Sequence, residues 1–149
     1  MGIYYDSKTG YIYSCSSDKR FIVSEFNYQE SVTEVALETH GFTNLVCDKK
    51  NSRLFLTNEV GVVFIYSNAN FPPTILTRVQ TSSKNSIRAL HIDYKKMYIF
   101  TGTADGKLVV LELGLPGKER FVKELTSLDS GKGYLNVINL FIFYFFFSL

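Results

Sequence analysis

The sequence has no tryptophan, two histidines, two cysteines and three prolines in 149 residues. Each shortage excludes a class. Cys15 and Cys47 are too few for a disulfide framework or a four-thiolate zinc site, so a reduced, cytoplasmic protein is expected. His40 and His91 have no second ligand at metal spacing. A net charge of +2 lacks the basic excess of a dedicated nucleic-acid binder. The start, Met1-Gly2-Ile3-Tyr4-Tyr5-Asp6, has no basic-then-apolar leader, and Asp6 stands where myristoylation needs Ser or Thr. No Asn-x-Ser/Thr acceptor occurs, and no window of eleven residues carries the apolar stripe of an amphipathic helix.

What the chain does have is 13 Phe and 10 Tyr, a usage that favours strands. It also repeats. Segments beginning at Ile3, Leu45 and Leu90 superpose without gaps, and their anchoring aspartates Asp6, Asp48 and Asp93 stand 42 and 45 residues apart. In each, an apolar run ends at the aspartate and a polar turn follows. A second run comes next (Tyr11-Ile12-Tyr13, Leu54-Phe55-Leu56, Tyr98-Ile99-Phe100), then a tight turn and a third run. Asp18 and the Asp105-Gly106 dipeptide fall in those tight turns, where they form the turn rather than act as bases. One more extended segment separates the units. Four strands per period of this length is the arithmetic of a β-propeller blade.

At Ile99-Phe100-Thr101-Gly102-Thr103-Ala104-Asp105-Gly106 and Leu108-Val109-Val110-Leu111-Glu112 the sequence resembles WD40-repeat proteins, and Ser14 to Glu25 is nearly as close. The family's Trp-Asp dipeptide falls on Ser24-Glu25, Tyr66-Ser67 and Leu111-Glu112, so the Trp is missing throughout. The resemblance implies a hydrogen-bonded Ser/Thr-to-Asp pair within each unit. Only Ser14 with Asp18 and Thr101 with Asp105 fit it, while Leu56 and Val60 suggest an apolar substitute in the middle unit. More loosely, the middle and third units are similar to the WD40 portion of proteins that also carry a FYVE finger, although no Cys-rich finger is present.

The expected fold is therefore all-β, with about three four-stranded antiparallel WD40-like blades in an incomplete ring. The units run over 1–26 (a partial blade), 27–68, 69–113 and 114–133, with a hydrophobic tail at 134–149. Propellers close with four to eight blades, so a fragment with self-associating open edges is expected. The tail is too short for a typical membrane span. Its favoured origin is non-coding sequence read past a splice site, ahead of a buried strand pair or a membrane contact.

No residue pattern calls for catalysis, and no cofactor or metal is expected. His91 and both cysteines fall at packed strand positions, and Gly102 to Gly106 leads into a strand rather than opening a phosphate-binding helix. The informative pattern is cationic. Lys8, Lys49, Lys50, Lys95 and Lys96 lie in turns that emerge on one rim, and Lys118 and Arg120 lie in a loop expected to reach the same side. The expected function is a non-catalytic protein–protein interaction scaffold whose rim attracts an acidic peptide. Two alternatives stay open: a ligand-binding or enzymatic propeller with its site in other blades, and a phosphoinositide or endosomal-membrane adaptor working through the basic rim.

Overall fold

The computed structural model describes residues 1–115, 118 and 123–129. Twelve strands and no helix occur among them. They form three four-stranded antiparallel meanders. The first joins β1 (Gly2–Asp6), β2 (Tyr11–Cys15), β3 (Arg20–Glu25) and β4 (Tyr28–Leu37). The second joins β5 (Phe42–Asp48), β6 (Arg53–Asn58), β7 (Val62–Ser67) and β8 (Thr74–Gln80). The third joins β9 (Ile87–Asp93), β10 (Tyr98–Thr103), β11 (Lys107–Glu112) and β12 (Lys123–Asp129).

The sheets cut the chain at different places from the sequence units. Tyr28–Leu37 pairs with Arg20–Glu25, so it closes the first sheet instead of opening the unit 27–68. Thr74–Gln80 pairs with β7 in the same way, and Lys123–Asp129 completes the third sheet rather than starting a further one. Each strand pairs with its neighbours in sequence within a meander, and the links 38–41 and 81–86 pass from sheet to sheet. The tail at 134–149 and Arg120 lie outside the described residues.

The repeat is visible in the backbone. Left-handed residues recur at Gly10, Ser52 and Met97, and again at Lys19, Gly61 and Gly106, keeping the 42- and 45-residue spacing. The first strands of successive sheets lie side by side, β1 against β5 and β5 against β9. Gly2 permits that approach, because a Cβ there would meet Leu45 Cβ at 2.6 Å.

Two apolar layers hold the sheets together. Tyr13, Phe21 and Val23 of the first sheet pack on Leu54, Leu56, Phe64 and Tyr66 of the second, with the Phe21 and Tyr66 rings 5.1 Å apart, edge to face. Phe55, Val63 and Ile65 point the other way, onto Leu90, Ile92, Ile99 and Val109 of the third. The middle sheet is covered on both faces, which explains why β6 and β7 are continuous apolar runs and not alternating ones. β1 does alternate, with Ile3 and Tyr5 turned outward. A third cluster, Ala89, Phe100, Leu108 and Val110, lies buried on the far side of the last sheet.

One charged pair interrupts the apolar interior. Asp48 and Arg53 face each other across the β5–β6 turn, with Arg53 Nη2 donating to Asp48 Oδ2 at 2.9 Å and both side chains 1% exposed. The Arg53 guanidinium lies 5.6 Å from the centre of the Phe55 ring, and its Nη1 reaches the Gly114 carbonyl of the third sheet at 3.5 Å.

Candidate functional site: a lysine rim on aspartate-capped turns

All three anchoring aspartates do the same local work. Each ends the first strand of its sheet and accepts backbone N–H groups from the turn that follows. Asp6 Oδ1 takes Lys8 N at 3.0 Å, Asp48 Oδ1 takes Asn51 N at 3.2 Å, and Asp93 Oδ1 takes Lys95 N and Lys96 N at 2.8 and 3.2 Å. A carboxylate spent on its own turn fixes the backbone that follows and leaves the next side chains pointing to solvent. Lys8, Lys49, Lys50, Lys95 and Lys96 are accordingly exposed. Because the sheets meander in the same sense and their first strands adjoin, these three turns leave the molecule on one side. Lys118 is also exposed, in the connection between β11 and β12, within one sheet and not between two.

Contacts tie the rim across sheets. Lys49 Nζ of the second sheet sits 5.6 Å from the centre of the Tyr4 ring of the first. Tyr94 of the third donates its hydroxyl to the Cys47 carbonyl of the second at 3.2 Å. Between the first two turns lies a cleft of about 310 Å³, lined by Tyr4, Lys8, Lys49, Ser52 and Asn68 among others. The Asn68 Oδ1 atom is buried there without a hydrogen-bond donor. The cleft wall thus combines the Lys8 and Lys49 side chains with the Asp6 carboxylate.

The opposite side holds the other turns. Asp18 Oδ1 accepts Arg20 N at 3.1 Å. Asp105 Oδ1 accepts Thr103 Oγ1 at 2.5 Å and Ser83 Oγ at 2.9 Å, and Lys107 Nζ approaches Oδ2 at 3.4 Å. Burial works to raise the Asp105 pKa, but the hydroxyl donors outweigh it and hold the carboxyl below its ordinary value. Gly106 follows with φ +81° and donates to the Thr103 carbonyl at 3.0 Å, closing the hairpin. A wider cavity of about 620 Å³ opens on this side beside Ser17, Phe42, Ile87, Glu59 and Arg88, with one acid and one base among those five.

The polar partners differ from those the resemblance implied. Thr101 donates to the Val109 carbonyl at 3.2 Å, and Thr103 is the residue that meets Asp105. In the first sheet Ser16, not Ser14, accepts Asp18 N, at 3.4 Å. In the middle sheet Asn58 Oδ1 accepts Val60 N and Val62 N at 3.2 and 2.8 Å, so the turn there is held by polar contacts and not by an apolar substitute. Ser16, Asn58 and Thr103 all stand ten places after their anchoring aspartate. That shared spacing was the available signal.

The remaining candidates for chemistry are occupied by structure. Cys15 is buried, its thiol donates to the Asn44 carbonyl at 3.6 Å, and burial pushes its pKa up to about 11. Burial also raises Cys47 and lowers the half-buried His91, whose ring lies 6.2 Å from Phe100. His40 is exposed, with Nδ1 at 2.9 Å from Thr39 Oγ1. Among the described residues no three His, Cys, Asp or Glu side chains gather for a metal. Cys15 is expected to resist a disulfide reagent at pH 7.5 until the protein unfolds, because the thiolate is the nucleophile. Stability is also expected to fall above pH 9, where the unfolded thiol ionises first, until the folded thiol titrates near pH 11. Thiol labelling in native buffer and in urea checks the first point; rapid native labelling of Cys15 contradicts it.

Comparison with solved structures matches this arrangement of sheets. The computationally designed protein Ika8 aligns with a TM-score of 0.68 at 16% identity, over 91% of this chain and 38% of its own. Raptor of Chaetomium thermophilum aligns with a TM-score of 0.67 at 11% identity, over 90% of this chain and 12% of its own. The three sheets are β-propeller blades. At such identities the likeness concerns the fold alone, and the chain spans well under half of either structure. No protein-family model matches the chain, and no curated protein matches it. The blades and their first strands place the lysine turns on a common rim, and no helix among the described residues is long and apolar enough to cross a membrane.

Proposed function

We propose that these WD40-like blades form a non-catalytic scaffold in the cytoplasm that holds an acidic peptide segment of a partner protein along the lysine rim. The observation that carries this reading is the aspartate-capped turn repeated in all three blades, which keeps the backbone rigid and presents Lys8, Lys49, Lys50, Lys95 and Lys96 on one side. The capping aspartates are turned into their own turns, so the rim presents more positive charge outward than the net +2 suggests. Rigid loops on a β scaffold are efficient binders because little ordering remains to be done on association. The cleft between the first two blades adjoins Lys8 and Lys49, with Asp6 on the same wall. Nucleic acid is a poorer match, since an extended phosphate track needs a broader basic surface.

The test uses a fluorescein-labelled peptide of alternating Glu and Ser and follows its anisotropy. Binding is expected to weaken steeply as salt rises from about 50 to about 300 mM, as screening shortens the reach of the rim. The double reversal Lys49→Glu with Lys95→Glu is expected to cost about tenfold in affinity, each exposed contact contributing up to about 1 kcal/mol. Unchanged affinity in the double variant would dismiss the rim.

A further inference from the structure

An aromatic row crosses the joint between the first two blades, on the side that carries the lysine turns. Phe71, in the link between β7 and β8, stacks on Tyr11 at 4.9 Å with the ring planes 25° apart. Tyr11 meets Tyr13 edge-on at 6.4 Å, and Tyr13 stacks on Tyr4 at 5.9 Å. Lys49 closes the row, its ammonium 5.6 Å from the centre of the Tyr4 ring. The row thus runs from the second blade across β2 and β1 of the first and back to the β5–β6 turn of the second. Described sheets lie on both sides of this joint. Tyr13 is 3% exposed, Tyr4 and Tyr11 are partly buried, and Phe71 is 50% exposed. A half-open ring held by a stacking partner is an apolar platform, and here it stands next to a cationic turn. Asn68 and Ala69, just ahead of Phe71, line the cleft beside Tyr4 together with Ser7, Thr9 and Ser52.

We propose that this joint seats a proline of the partner's acidic segment, an inference that rests on the acidic-peptide reading above and names a second element of that segment. The proline ring lies on the Phe71 face, and an acidic residue further along meets the exposed Lys49 at the end of the row. Asp6 stands on the cleft wall as the cap of its own turn, so the acidic contact belongs at Lys49 and not inside the cleft. Three features select proline over another apolar residue. Its rigid ring loses no rotamer freedom when it settles on an aromatic face. A polyproline II segment has no internal hydrogen bonds, so its carbonyls are free to accept from the Ser7, Thr9 and Ser52 hydroxyls of the cleft. Such a segment advances about 3.1 Å per residue, so each ring-to-ring step spans about two residues and the acid falls within about six positions of the proline. Aromatic-lined surfaces are a recurring recognition mode for segments of this kind.

The experiment compares three fluorescein-labelled peptides of equal length and charge by anisotropy. One alternates Glu and Ser, and the other two have the central serines replaced by proline or by leucine. The proline peptide is expected to bind about fivefold to tenfold more tightly than the Glu–Ser peptide, and the leucine peptide no more than about twofold. Phe71→Leu keeps apolar bulk at a half-exposed position, so it should remove the proline advantage while leaving Glu–Ser binding and the urea midpoint unchanged. Phe71→Tyr keeps a ring and should keep the advantage. An advantage that persists in Phe71→Leu overturns the proline seat, since a stiffer peptide alone then accounts for it. A leucine peptide that binds as tightly as the proline one overturns it as well. Salt-dependent Glu–Ser binding with no proline advantage overturns the seat and leaves the lysine rim standing, whereas no binding by any of the three peptides overturns both.

Discussion

Asp48→Ala is expected to destabilise the protein by about 3–5 kcal/mol, measured by urea denaturation, because it removes one partner of a buried ion pair whose two side chains are each 1% exposed. Arg53 is 1% exposed, wedged between the Phe55 ring and the Gly114 carbonyl, and cannot reach water without moving one of them. Asp48 also accepts from the backbone and side-chain nitrogens of Asn51 at 3.2 and 2.8 Å, so its loss loosens the turn as well. The corresponding change in the first blade, Asp6→Ala, removes a turn contact alone, since Tyr11 stands where Arg53 stands in the second; about 1 kcal/mol is expected. The joint replacement Asp48→Leu with Arg53→Met should recover most of the loss, as buried ion pairs are often replaceable by apolar residues of similar volume. If Asp48→Ala costs no more than Asp6→Ala, the pair is not what holds this end of the middle blade.

Periodicity made the strands, the turns and the all-β class legible, because left-handed turn residues and capping aspartates recur at fixed spacing whatever the side chains between them. Sheet membership was not legible. An extended segment such as Tyr28–Leu37 carries strand propensity equally well whichever neighbour it joins, and only hydrogen bonding to Arg20–Glu25 assigns it to the first blade. The polar turn partners were missed for a related reason. Thr101 and Thr103 are both threonines on the same side of β10, and a local pattern does not say which one lies within reach of Asp105. Burial of Arg53 was hidden because charged residues are usually exposed. Its spacing of five from Asp48 across a tight turn is nevertheless what places the two opposite each other. The lysine rim was read from topology alone, and the structure adds its cause in the aspartate caps and the cleft beside Tyr4.

Phe55→Ala is expected to cost about 3–5 kcal/mol, since it empties a fully buried position at the contact between the second and third blades. The cavity would lie among Ile92, Ile99 and Val109, whose backbones belong to paired strands and have little freedom to close it. It would also remove the ring beneath the Arg53 guanidinium, so part of the loss comes from weakening the buried ion pair's surroundings. Phe55→Leu keeps most of the volume and should cost under about 1.5 kcal/mol. The damage should also be directional: amides of β9, β10 and β11 should exchange faster relative to wild type than those of β1 and β2, which rest on the separate layer around Tyr13 and Phe21. Equal acceleration in all three blades would instead mean that the stack opens as one cooperative unit, and that the two apolar layers do not act separately.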